Sequence, residues 1–214
     1  MMESPEARTA SEQTRARLLD AAREVFSQRG FQGATVREIC RRAEANGAAV
    51  NYHFGSKDGL LAEALNFAPL AALQKANANE CPEVRLRLFI RDFMLMMLDE
   101  KNPSSQCRIM ARELADPTPA LDKIVREAIA PLHAFLGKLV REILNEDAVG
   151  DKVGEPELRR CVYSILGQCV FYRHSHPVLQ RLHHTQRYSH KEIEAIAEHI
   201  VEFSLSGIRR LSEK

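Results

Sequence analysis

"TVREICRRAEANGAAVNYHFGSKDGL", residues 35–60, holds two short helix-like runs on either side of a polar break around Asn46-Gly47 and closes on a second break at Gly55-Ser56. T-V-R-E is a capping box: the Thr35 hydroxyl and the Glu38 carboxylate can satisfy each other's first-turn amides, so a helix starts there and ends near Ala43. Asn46 is a good N-cap for the next helix, which Gly55 ends about two turns later. Ser56 then caps a further helix, with Asp58 in its first turn. Upstream, Leu18, Leu19, Ala22, Val25 and Phe26 share one face of a helix from about Thr14 to Arg29, and Gly30 sits where a left-handed cap is wanted.

Two short helices joined by a tight turn, closed by a preceding helix, make a helix-turn-helix unit. Val36, Ile39, Ala43, Val50 and Phe54 are the apolar positions that hold it together. Ala48, Ala49, Asn51, Tyr52 and His53 are left to divide between packing and an outer face. Small residues at the start of the second helix let its backbone approach a groove floor, and Asn51 can read a base edge or a phosphate. The plainer readings stay open: Tyr52 as a core aromatic, His53 as a solvated polar residue, and the cluster Arg37, Arg41, Arg42 as a solvated face. Of these arginines Arg37 is the candidate for the DNA backbone, since the first helix of the motif crosses it. Lys57 combines a mobile cation with the amides of a helix N-terminus, both suited to a phosphate.

"FSQRGFQGATVREICRRAEANGAAVNYHFGSKDGLLAEAL", Phe26–Leu65, resembles the DNA-binding region of the TetR/AcrR family of transcriptional regulators. The pattern is F-x-x-x-G-[FY], then T-[TV]-x-x-I, a turn, Y-H-F and S-K-x-x-L. The resemblance implies an all-α homodimer whose N-terminal helices bind DNA, with a larger helical domain holding a ligand cavity and the dimer interface. It implies phosphate contacts for Thr35, Tyr52 and Lys57, and bases facing the first residues of the reading helix; Asn46, Ala48, Ala49, Asn51 and His53 are the further DNA-binding candidates. Three positions depart from the pattern: Asn51 where the family often has tyrosine, Gly55 for a frequent proline, and Glu44 for the usual glycine.

Charge alone does not point to nucleic acid: the net charge is +1, and residues 1–60 carry nine Lys and Arg against eight Asp and Glu. With 214 residues, 45% hydrophobic and 28% charged, the chain can bury a proper core. No apolar run is long enough for a membrane span, and the first residues lack the apolar stretch of a signal peptide, so a cytoplasmic location without membrane contact is expected. Cys40, Cys81, Cys107, Cys161 and Cys169 have no metal spacing and are read as reduced, mostly buried thiols.

The expected organisation is a flexible tail over 1–13, the helix-turn-helix domain over 14–60, and a ligand-binding and dimerisation domain over 61–214. The helix opened by Ser56 should run to about Asn77 with a kink at Pro69, and serve as connector. Pro82 opens a helix whose Leu86, Leu88, Phe89, Phe93, Met94, Met96, Met97 and Leu98 crowd more than one face. A helix from Ser104 or Ser105 to Asp116 follows, then a long one with Thr118 as N-cap and Pro119 at its first position. Pro156 to about His174 carries Leu158, Val162, Ile165, Leu166, Cys169 and Val170; a second capping box at Ser189 opens a helix with Ile193, Ile196, Ala197, Ile200, Phe203 and Ile208. Small residues, Gly167 and Gly207 among them, permit close approach, so Leu158, Val162, Ile165, Cys169, Ile196, Ile200, Phe203 and Gly207 are the candidate faces of a four-helix dimer interface. The same stripes could instead pack only on the subunit's own core.

"RIMARELADPTPALD" and "SILGQCVFYRHSHPVLQRL" further resemble the CecR-like C-terminal domain found in part of the family, which implies a small-molecule sensor. Phe93, Met94 and Met97 are candidate apolar walls, with Arg108, Arg112, His133, Gln168 and Tyr172 as polar anchors; each can equally be core or surface. Six of the eight histidines fall between His174 and His199, most in a loop and without ligand spacing, so neither a metal nor another cofactor is expected. None of the glycine-rich or nucleophile-elbow signatures of enzymes is present. The alternatives to a ligand-released repressor on a palindromic operator are a helical-bundle enzyme using Cys107 or Cys169 with a histidine, and an interaction protein without DNA binding.

Overall fold

Helical periodicity dominates the sequence, and the fold is all-α: residues 5–65, 67–98, 105–146, 153–183 and 187–212 are described in the computed structural model and contain no strand. In chain order the helices are α1 (Pro5–Gly33), α2 (Val36–Arg42), α3 (Ala49–Phe54), α4 (Lys57–Ala64), α5 (Ala68–Lys75), α6 (Pro82–Leu98), α7 (Ser105–Ala115), α8 (Ala120–Ile124), α9 (Ala130–Glu146), α10 (Glu155–His174), α11 (His176–His183) and α12 (His190–Ser212). One π turn, Val125–Ile129, continues the helical run from α8 into α9. The chain divides into two compact units. The first takes the described residues up to Phe67 together with those of Ser105–Glu127; the second takes the rest.

In the first unit α1 starts at Pro5, so residues 5–13, expected as a tail, extend the helix. Leu18, Ala22, Val25 and Phe26 follow its inner face and are fully buried. Each such Leu or Phe contributes about 1.5–3 kcal/mol by leaving water. α2, with Ile39 and Cys40 buried, and α4, with Leu60 and Leu61 buried, pack against α1, and α3, with Val50 and Phe54 buried, packs against α4 and α2. The run of α1 is broken at Gly30, whose φ of 69° suits glycine. A Cβ there would also meet the Arg112 guanidinium at 3.2 Å.

Two features of this unit depart from the sequence expectation. The helix opened by Ser56 ends at Ala64 instead of running on to Asn77, and Pro69 is the second residue of a new helix, α5, where a helical N–H has no acceptor to lose. Residues 105–127, expected with the C-terminal domain, pack on the head: α7 lies along α1 and α8 against α4, burying Ile109, Ala120 and Ile124. Their junction is held by Glu113, a buried carboxylate that accepts from both the N–H and the hydroxyl of Thr118 at 2.7 Å. The same hydroxyl accepts from Ala120 N–H at 3.2 Å, which starts α8.

In the second unit α6, α9, α10 and α12 surround a core that includes Phe89, Ile90, Met94, Leu136, Leu139, Ile143, Val162, Ile165, Cys169, Ile200 and Leu205. Ion pairs tie α6 to its neighbours: Arg87 reaches Glu198 and Glu202 of α12, Arg209 reaches Glu83 at 2.5 Å, and Arg85 reaches Glu142 of α9 at 2.6 Å. The second capping box is complete, with Ser189 N–H and hydroxyl on the Glu192 carboxylate at 2.7 Å and Glu192 N–H on Ser189 Oγ at 3.3 Å. The stretch between α10 and α12, read as loop, contains α11. No helix among the described residues is long and apolar enough to cross a membrane.

Candidate nucleic-acid interface

α3 is only six residues long, and two of them, Val50 and Phe54, face inward. Everything between points out. Ala48 and Asn51 are exposed and Ala49 and His53 half-buried, while Tyr52 is 72% exposed, its ring edge-on to His53 at 4.8 Å. A tyrosine so exposed contributes little to the fold, which removes the core reading of that residue. The preceding turn is held by Asn46, whose side-chain oxygen accepts from Ala48 N–H at 2.9 Å while its carbonyl takes Ala49 N–H at 2.9 Å. Asn46 therefore shapes the approach to α3 from two residues before the cap position, which is Ala48.

Two helix N-termini flank this surface. Thr35 caps α2 by accepting from Glu38 N–H at 3.2 Å, and the exposed Thr35 hydroxyl keeps its own proton to donate to an anion. The reciprocal half of the capping box is replaced: Glu38 instead takes Arg29 at 2.6 Å and Arg42 at 3.2 Å, and Arg42 also reaches Glu24 at 3.2 Å. Arg29 and Arg42 thus neutralise Glu38 in the first turn of α2. Arg37 and Arg41, one turn apart on the outer side of α2, are exposed and have no ion pair among the described residues.

At α4, Ser56 Oγ accepts from Gly59 N–H at 3.0 Å, and Lys57 is the first helical residue. The Lys57 ammonium stands 4.1 Å from the centre of the Phe31 ring. Burial holds its pKa below the usual lysine value, partly offset by Asp58. Gly59 has a steric reason to be glycine, because a Cβ there would fall 2.2 Å from the Phe54 carbonyl oxygen. A side chain would push α4 off the end of α3.

Residues 18–64 match the model of bacterial regulatory proteins of the tetR family, and residues 82–208 match the C-terminal domain of the HTH-type transcriptional dual regulator CecR. The CecR protein of Shigella flexneri is 31% identical over 186 residues, covering 80% of this chain and 81% of its own length. The chain belongs to the TetR family. The UidR regulator of Escherichia coli K12 matches this TetR-family chain over a shorter stretch, 40% identical over 53 residues, or 25% of this chain and 27% of UidR. A transcriptional regulator from Pseudomonas aeruginosa PAO1 superposes with a TM-score of 0.68 at 20% identity, over 97% of this chain and 95% of that one. FadR from Bacillus halodurans superposes equally well at 15% identity, over 98% and 99% of the two chains. Those two share the fold; the TetR-family assignment rests on the sequence matches. The protein is a transcriptional regulator, as its family and relatives are, and α1 to α4 are its helix-turn-helix head.

The residues singled out for a ligand pocket fall in both units. Arg108 and Arg112 belong to the first unit, where Arg112 donates to the Gln28 carbonyl at 3.2 Å. Phe93 and Met94 are buried in the core of the second unit, with Met97 packed at its margin. His133 sits against the Tyr163 ring at 5.1 Å, Tyr172 against Phe171 at 6.0 Å, and Gln168 donates to Ser164 O and Ser204 Oγ. Gln168 lines a groove of about 220 Å³ between α10 and α12, with Ser164, Phe203, Ser204 and Gly207.

The interface stripe also needs correcting. Leu158, Val162, Ile165, Cys169 and Ile200 are at most 3% exposed within the chain's own core, so they have no surface left for a partner. Ile196, Phe203 and Gly207 do reach the outside, and they share it with Tyr163, Gly167 and Phe171 of α10. Tyr163, Gly167 and Phe171 are themselves spaced as a helical stripe, beside an aliphatic stripe that is more apolar. Burial pushes the Cys169 thiol up to about 12, which removes it as a nucleophile at neutral pH. Among the described residues no group of histidines, cysteines and carboxylates is arranged to hold a metal ion.

Proposed function

We propose that this TetR-family regulator is a ligand-responsive repressor that binds a palindromic double-stranded DNA operator as a homodimer and is released by a small-molecule inducer. The observation that carries the DNA-reading surface is the outer side of α3: a tyrosine 72% exposed beside Asn51 and Ala48, between the N-termini that present Thr35 and Lys57. Phosphate contacts from Thr35, Arg37, Tyr52 and Lys57 would fix the register, leaving Asn46, Ala48, Ala49, Asn51 and His53 to meet base edges. The homodimer is supported by the exposed stripe of Tyr163, Gly167 and Phe171 with Phe203 and Gly207, which sets three exposed aromatics and two small residues on neighbouring helices. Ligand response is what the resemblance of the C-terminal region to a CecR-like domain implies, and residues 82–208 match the model of that domain. An inducer then acts by binding unequally to the states that do and do not fit the operator.

Selection of duplexes from a random library by the purified protein tests this reading. Recovery of an inverted repeat with half-sites about 34–36 Å apart is the expected result. Folded protein that enriches no sequence would count against it. The near-neutral N-terminal region, with nine basic against eight acidic residues over 1–60, should give a shallow dependence of affinity on salt, about one unit of slope per neutralised phosphate. A reporter fused to the selected operator separates repression from activation, since binding alone does not fix the sign.

A further inference from the structure

We propose that Phe31 is a positioning residue for the Lys57 ammonium, its ring seating the cation before a DNA phosphate arrives. The proposal rests on the reading of Lys57 as a phosphate contact. Phe31 lies just after Gly30, beyond the break in α1, and Lys57 Nζ lies 4.1 Å from its ring centre, well within cation–π range. The ring is itself fixed. It stacks on Phe26 at 6.1 Å and 18°, and Phe26 is fully buried, so Phe31 is backed by the core while Lys57 stands over its ring.

The backbone that carries the ring is held as well. Gly30 turns the chain with a positive φ, and Arg112 of α7 donates to the Gln28 carbonyl at 3.2 Å. A lysine on a flexible four-carbon stem loses much rotamer freedom when it pairs with a phosphate. Seated on the ring, Lys57 has already given up part of that freedom, and one side of its ammonium is shielded from water while the other remains open to an anion. The depressed Lys57 pKa is consistent with that partial dehydration.

The experiment measures affinity for the duplex selected from a random library, using wild type, Phe31→Leu, Phe31→Tyr, Lys57→Met and the double variant Phe31→Leu/Lys57→Met. Phe31→Leu should weaken binding about three- to tenfold, the ordering cost of one long side chain, and Phe31→Tyr should restore it because the ring face is kept. In the Lys57→Met background Phe31→Leu should change nothing further. An equal loss in both backgrounds, or no loss in either, overturns the positioning role. Unchanged affinity of Lys57→Met instead removes the underlying phosphate contact. A readout independent of DNA is the Lys57 side-chain proton shift. The ring current should move it upfield in wild type and Phe31→Tyr but not in Phe31→Leu, and an ordinary lysine shift in wild type overturns the proposal even where Phe31→Leu fails to fold.

Discussion

Glu44 occupies the turn between α2 and α3 with φ +50°, a left-handed conformation in which its Cβ crowds the following carbonyl. Replacing it by glycine should stabilise the head. The strain released is about 1–2 kcal/mol for an L-residue. Against this, glycine gains freedom in the unfolded chain worth about 0.5–1 kcal/mol. The net gain is then about 0.5–1 kcal/mol, which for a chain of this length corresponds to about 1–4 °C in Tm. Nothing else is lost, because Glu44 is exposed and its side chain has no hydrogen bond or ion pair among the described residues. Its N–H keeps the Arg41 carbonyl at 3.3 Å whichever side chain is present. Thermal and urea unfolding followed by far-ultraviolet circular dichroism, without DNA, give the comparison. Glu44→Ala is the control that separates charge from strain: it removes the carboxylate but keeps the Cβ, and should show no gain. A glycine variant no more stable than the alanine one would refute the strain at this turn.

Gly59→Ala should destabilise the head by about 1–3 kcal/mol, read by the same unfolding curves, because the new methyl would stand 2.2 Å from the Phe54 carbonyl oxygen and α4 must shift. Phe203→Glu places a charge on the exposed stripe and should convert the proposed dimer to monomer in light scattering without loss of helix. Ile200→Ala should instead cost about 2–5 kcal/mol of stability, since that side chain is 1% exposed in the core. In native protein a disulfide-exchange reagent should label Cys81 first, as it is exposed. Cys169, with its thiol pushed up to about 12 by burial, should label only on unfolding, and fast native labelling there would contradict its placement.

The head was legible because local rules agree there. Ser56 and Thr35 cap where their hydroxyls suggest, Gly30 and Gly55 take positive φ, and Val50 and Phe54 alternate inward against Asn51 and Tyr52. What sequence could not show depends on partners distant in the chain. Glu38 was expected to close its own capping box, but Arg29 and Arg42 take it, and only Arg42 lies at a spacing readable along α2. The apolar face of α7 announces burial of Ile109 without saying that α1 is what buries it. On α10 the aliphatic stripe is the natural choice for a partner surface, yet it fills the subunit core and leaves Tyr163 and Phe171 outside. No local pattern pairs Phe31 with Lys57, 26 positions on, and only the fold sets the ammonium over the ring.

Affinity of Tyr52→Ala for the selected duplex, compared with wild type at one salt concentration and alongside unfolding curves for both, tests most directly whether α3 is the surface that meets DNA. Tyr52 is so exposed that its removal should leave stability unchanged within about 0.5 kcal/mol. If its hydroxyl bonds a phosphate, binding should fall by about ten- to a hundredfold, the worth of a hydrogen bond to a charged group. Unchanged affinity in a folded variant would mean that DNA is held by another face of the head.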